Sequence, residues 1–161
     1  GNEGIRYLVQ SNFPYLIILE IGSNNIENEG LKYLSNSNFA NIEVLYLSSN
    51  LIDGDGVKYL TNSKFKSNLI DIDLKNNKIH DDAIKYLSNE YFPILEYLLL
   101  AENNITNNGC FQITPKLFPN IKVLELYDND IENEGFDHFM NNDFPNMRFL
   151  SIFLRYNNIL L

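Results

Sequence analysis

The sequence predicts an α/β solenoid, a horseshoe arc of about six 26-residue repeats with a parallel β-sheet on its concave side and short helices on its convex side. Three observations predict it. The string LxxLxLxxNxI, with Ile replacing Leu at some positions, recurs at residues 16–26, 42–52, 69–79, 95–105 and 121–131. Four residues after each closing Ile stands a small residue: Gly30, Gly56, Ala83, Gly109 or Gly135. Nine residues beyond each of these, and beyond Gly4 in a partial first repeat, comes a Phe: Phe13, Phe39, Phe65, Phe92, Phe118 and Phe144.

Each element follows from this spacing. Within a string the apolar positions alternate, as a short strand buried on one face requires, and the Asn then turns the chain. Past the small residue, apolar side chains fall at the first and fourth positions, as in Leu31 and Leu34, Val57 and Leu60, or Ile84 and Leu87. That spacing predicts a helix of one to two turns with a single buried face. Acidic residues just ahead of it, Glu27 and Glu29, Asp53 and Asp55, Asp81 and Asp82, Glu132 and Glu134, are expected to complement the helix N-terminus. Pro14, Pro93, Pro119 and Pro145 directly follow the Phe and are expected to stop the helix and return the chain, extended, to the next strand. The one 27-residue spacing places its extra residue in Lys66-Ser67-Asn68, where a loop absorbs it.

A unit of this kind cannot bury its own apolar face, so neighbouring copies must stack. Inward Leu and Ile side chains then stabilise by roughly 1.5 to 3 kcal/mol each when fully buried. The Phe row forms a second, aromatic spine. The Asn residues, Asn24, Asn50, Asn77, Asn103 and Asn129, are expected to form a ladder satisfying backbone groups in the turns. Asn is also over-used beyond the motif, in pairs such as Asn24-Asn25 and Asn103-Asn104, which reads as a composition bias of the genome.

Composition excludes several function classes. With 45% hydrophobic residues the 161-residue chain has material for a core, and no apolar run approaches the roughly 18 residues that cross a bilayer. A net charge of −9 and no basic stripe argue against nucleic acid as a partner. Cys110 is the single cysteine, so no internal disulfide forms, and a reducing, cytoplasmic location is expected. The chain opens partway through a repeat without a Met, as a single domain over 1–161 cut from a longer array would.

The strand motif, its NxIxxxG continuation and the helical outer limb resemble the ribonuclease-inhibitor-like class of leucine-rich repeats, across essentially the whole chain. The resemblance implies the horseshoe fold and a binding role. It does not choose among inhibitors, GTPase-activating proteins, immune receptors and effectors. The shorter period departs from the class.

The last repeat can be read in two registers. Met147, Leu150 and Ile152 point inward in one, which puts Arg155 where Asn belongs; Phe149, Ile152 and Leu154 point inward in the other, with Asn157 as the turn Asn. The first register through Ile152, with a bulge afterwards, is the preferred reading. Neither end carries a polar cap, so further repeats or another subunit are expected to cover both.

Strand alternation turns the third, fifth and seventh residues of each string to the concave solvent side. Those rows mix aromatic, aliphatic and acidic residues, and Tyr and Phe are types that anchor interfaces. The expected partner-binding set is Tyr46, Asp71, Asp73, Tyr97, Leu99, Glu125 and Tyr127, facing a protein partner with apolar and basic groups. No catalytic set assembles: His80 and His138 lie on outer segments of different repeats, and Cys110 takes an inward helix position. Asp53-Gly54-Asp55-Gly56 resembles part of a calcium loop but lacks the later bidentate Glu, so helix-start acids are the simpler reading and no metal or cofactor is expected. Arg6, Lys32, Lys58 and Lys85 run beside Tyr7, Tyr33, Tyr59 and Tyr86 as a solvated helix face. Asn104-Ile105-Thr106 is a glycosylation sequon, relevant only to a secreted chain.

These expectations amount to a non-enzymatic protein-interaction scaffold. The alternatives are the recognition module of a larger enzyme or GTPase-activating protein, and a structural component of a large assembly that makes contact through its ends.

Overall fold

The computed structural model describes residues 1–90, 92–152 and 157–159. Within them helices and strands alternate: α1 Asn2–Leu8, β1 Ile18–Glu20, α2 Asn28–Ser35, β2 Val44–Tyr46, α3 Gly54–Thr61, β3 Asp71–Asp73, α4 Asp81–Ser88, β4 Tyr97–Leu99, α5 Asn107–Cys110, β5 Val123–Glu125, α6 Asn133–Asn141 and β6 Phe149–Ser151. The strands form one parallel sheet in chain order. Ile18 pairs with Val44, Val44 with Asp71, Asp71 with Tyr97, Tyr97 with Val123 and Val123 with Phe149. The longer step, from β2 to β3, carries a short 3₁₀ turn at Lys66–Asn68, where the extra residue was expected. The fold is the α/β solenoid that the sequence predicts. Packed helices need about 8 to 10 Å each and paired strands about 4.8 Å, so the stack curves with the sheet inside.

The core runs the length of the stack between sheet and helices. Leu45, Ile72, Leu98 and Leu124 from the strand centres meet Leu34, Leu60, Ile84 and Leu87 from the helices, all at most 1% exposed. Phe39, Phe65, Phe92 and Phe118 are at most 2% exposed, whereas Phe13, at the end of the stack, is 48% exposed. In the fifth unit the helix lasts only one turn, because Pro115 lacks an amide and disfavours helix at Thr114. Ile113 is nonetheless fully buried.

Asn side chains tie the repeats together in three ways and close helix ends in a fourth, so their abundance is structural and not merely compositional. In the turns after the strands, the Asn50, Asn77, Asn103 and Asn129 amides donate to backbone carbonyls of the preceding repeat at 3.0 to 3.1 Å, while their Oδ1 atoms accept from its Ile26, Ile52, Ile79 and Ile105 amides. Asn24 has no earlier strand beneath it and donates to its own repeat's Gly22 carbonyl at 2.6 Å. Beyond β6, which holds the preferred register, the next rung is Asn157: it accepts from the Ile131 amide and donates to the Leu126 carbonyl, both at 3.0 Å. The expected Arg155 position lies outside the described residues, as does Leu154 of the alternative register.

At the helix N-termini, Asn2, Asn28 and Asn107 accept from the amides of Glu27, Asp53 and Glu132, the first residues of the next helical turn, and Asp81 does the same for Thr106. The expectation that acidic residues complement their own helix holds for Asp53, which caps α3 by accepting from the Asp55 amide at 2.9 Å, and for Asp82, which accepts from the Ala83 amide in the first turn of α4 at 2.9 Å. Glu27 and Glu132 make no cap bond, because the neighbouring repeat's Asn already occupies the amides they would serve. Thr106 caps α5.

Pro14, Pro93, Pro119 and Pro145 do not stop the helices: those ahead of them end earlier, at Leu8, Ser88, Cys110 and Asn141, and α2 and α3 end at Ser35 and Thr61 with no proline after them. There Asn36 and Asn62 donate to the carbonyls of Lys32 and Lys58, four residues back, and close the last turn. The prolines instead supply acceptors on the return path: Asn41, Asn120 and Asn146 donate to the Pro14, Pro93 and Pro119 carbonyls, and Asn68 to Ala40.

Candidate functional site

The face of the sheet turned away from the helices is built from the first and third residues of each strand and the residue two further on. Alternation puts the middle residue of the strand into the core and leaves its neighbours outside, as the burial of β1, β2 and β5 shows. Tyr97 is exposed, Tyr46, Asp71, Leu99, Glu125 and Tyr127 are partly buried, and Asp73 is buried. The seven expected residues therefore lie on one continuous surface across β2 to β5.

Two polar groups form within it. The Tyr46 hydroxyl donates to Asp71 Oδ2 at 2.9 Å across the β2–β3 pair, and this bond pushes the Tyr46 phenol up to about 12. Burial holds the Asp71 carboxyl above its ordinary value against the opposing hydrogen bond from Tyr46, and Asp71 Oδ1 is a buried oxygen without a hydrogen-bond partner among the described residues. The second group centres on Lys75, whose ammonium lies 3.4 Å from Glu125 Oε2 and 3.9 Å from Asp73 Oδ2. Burial works to lower the Lys75 pKa, but Asp73 and Glu125 outweigh it and hold the ammonium above its ordinary value. Asp73 also accepts from the Lys75 amide at 2.9 Å. It is thus engaged within the fold rather than presented to solvent.

Lys75 was outside the expected set, although it occupies the third outward row and sits two residues past Asp73. Its reach to Glu125, two strands away, becomes visible only once the register is fixed. In these rows Glu20, Asp71, Asp73 and Glu125 face one cation, Lys75, among the described residues, so the surface stays acidic. Tyr97, Leu99 and Tyr127 provide an apolar wall beside the carboxylates, and burial raises the Tyr127 phenol pKa.

The residues set aside in the sequence fall away from this face. His80 is the N-cap of α4, and the His138 ring nitrogen Nε2 lies 2.9 Å from the Ile113 carbonyl on the helical side. Cys110 is fully buried, and burial pushes its thiol up to about 12. Asp53 of the calcium-like string is committed to the Asp55 amide and to Asn28. Among the described residues no group of three His, Cys, Asp or Glu side chains is placed to hold a metal ion, and no helix is long and apolar enough to cross a membrane. Both ends of the stack show apolar side chains: Tyr15, Ile17 and Ile18 at one, Met140 and Phe149 at the other.

A family model described as Leucine Rich repeat matches residues 14–35, the segment from the first return loop through β1 to the end of α2. No curated protein matches the chain.

Proposed function

Since this chain is a leucine-rich repeat protein, a class whose domains generally mediate protein–protein interaction, we propose that it is a non-enzymatic scaffold holding a protein partner on the open face of its sheet. The observation that carries this reading is the juxtaposition of Tyr46, Tyr97, Leu99 and Tyr127 with Asp71 and Glu125 on one surface of a hydrogen-bonded sheet. Aromatic rings on a preformed surface dock with little loss of conformational entropy, and the acidic surplus favours a partner with basic side chains. The partner's cations would compete with Lys75 for Glu125, so binding is expected to weaken with salt.

The test is capture from a lysate of the source cells, with the native chain and a Tyr46→Ala/Tyr97→Ala/Tyr127→Ala variant as parallel baits matched for folding by circular dichroism. A protein held by the native bait and lost from the variant supports the open face as the site. The same protein surviving on both baits sinks that assignment. The exposed apolar ends favour a second reading, a structural component that makes contact through Tyr15, Ile17 and Ile18 or through Met140 and Phe149, and survival on both baits would bring that reading forward.

A further inference from the structure

Four of the five helix-to-helix junctions are tied at the helix N-terminus by a side chain reaching across to the next repeat: Asn2 from α1, Asn28 from α2, Asp81 from α4 and Asn107 from α5. From α3 to α4 the corresponding residue is Gly54, which has no side chain to offer. The Asp82 carboxylate of α4 fills the space instead, its Oδ2 2.2 Å from where a Cβ on residue 54 would stand, and it accepts from the Ala83 amide of its own helix. The return path repeats the omission. Asn41, Asn68, Asn120 and Asn146 each donate to the preceding return loop, but at the step from the α3 return to the α4 return the position is Ile94, which cannot donate. Both interruptions fall at the same junction, and the longer repeat with its 3₁₀ turn lies on one side of it.

Beside the buried apolar packing of Val57 and Leu60 with Ala83, Ile84 and Leu87, the polar contacts that span this junction on the helical side among the described residues are a pair near the surface: the Lys66 ammonium with Glu90, and the Lys58 ammonium over the Tyr86 ring at 5.5 Å. Contacts of that kind tolerate changes in distance and are screened by salt, unlike a hydrogen bond with fixed geometry. On the sheet side the junction is fully tied. β3 and β4 pair in register, and the Asn103 amide group bonds the Leu74 carbonyl and the Asn77 and Ile79 amides.

We propose that the α3–α4 junction, where the helix N-termini and the return loops lack the side-chain ties of the other junctions, is the built-in hinge of the solenoid, with the β3–β4 pair and the Asn103 rung as its axis and the apolar contact between α3 and α4 as the surface that shifts. Opening or closing there alters the curvature of the sheet at Asp71 and Tyr97, which are register partners across the axis. The inference stands on the internal ties alone and does not depend on what the open face binds.

Hydrogen exchange by mass spectrometry on the native chain tests it, comparing α4 with α2, which is flanked by helices on both sides and tied by both rungs. Amides of 79–90 are expected to exchange at least about fivefold faster than those of 26–37, the factor that roughly one lost hydrogen bond supplies. The gap should widen at about 1 M salt, where screening removes the Lys66 and Glu90 contact. The Gly54→Asn/Ile94→Asn variant, which restores both rungs and moves the Asp82 side chain into solvent, should bring α4 back to the α2 rate. Equal protection of α4 and α2 in the native chain at both salt concentrations overturns the proposal. So does a folded double variant with α4 exchange unchanged, since looseness arising from the short α5 would survive the restoration.

Discussion

Five residues hold the same unusual backbone: Ser23, Ser49, Asn76, Glu102 and Asp128, each just before a turn Asn, have φ between 51° and 56°. L-residues other than Gly, Asn and Asp pay for this left-handed conformation, so Glu102 sits at a cost that Asn would reduce. Glu102→Asn is expected to raise stability by about 0.5 kcal/mol in urea unfolding; a lower midpoint would show that the Glu102 side chain has a compensating role. Asp71 makes a second residue-scale prediction. A carboxyl whose folded pKa is raised costs stability as pH rises through that value, and the cost is absent below the unfolded pKa. Asp71→Asn removes it, so the melting temperature of the variant relative to native should be more favourable at about pH 7 than at about pH 3. Identical differences at the two pH values would contradict the burial of that charge. Cys110, with its thiol pushed up to about 12, should react with thiol reagents only on unfolding.

Among the elements, the turns are where side chains decide stability. The Asn103 side chain bonds five backbone groups, those of Asn77, Ile79, Leu74, Leu100 and Ala101, all within 3.0 to 3.2 Å. Asn103→Ala strands several of them in a buried site and is expected to cost about 1 to 3 kcal/mol or more, with Asn77→Ala close behind. Asn24→Ala, which loses a bond to its own exposed repeat, should change the melting temperature little. A comparable drop for Asn24 and Asn103 would mean that the ladder adds nothing beyond local turn propensity. The helices depend on the same economy: four to nine residues are marginal alone, and the neighbour's Asn at the N-terminus together with the Asn at the C-terminus supplies partners their own turns lack.

For the whole molecule, stability is a sum of repeat and neighbour terms, so position in the stack sets the cost of a change. Phe92 is fully buried, its ring centroid 6.3 Å from that of Phe118, whereas Phe13 at the end is 48% exposed. Phe92→Ala is expected to cost about 3 to 5 kcal/mol by denaturant unfolding and Phe13→Ala less than about 1.5 kcal/mol. Equal costs would be inconsistent with a one-dimensional stack in which the cost of a change follows the burial of the site.

The repeated spacing of Leu, Asn, small residue and Phe was enough to determine the elements, their order, the parallel sheet and the rows that face outward, because strand and helix periodicities are local properties of the chain. It also located the extra residue at Lys66–Asn68. Tertiary structure decided what depends on side chains 24 to 50 residues apart meeting in space: that Asn2, Asn28 and Asn107 serve the next helix and not their own, that the prolines act as acceptors, and that Lys75 reaches Glu125. Asp73 illustrates the division. Its outward position follows from alternation, but its burial depends on Lys75 and the adjacent strands closing over it, and only the register between strands brings those groups together.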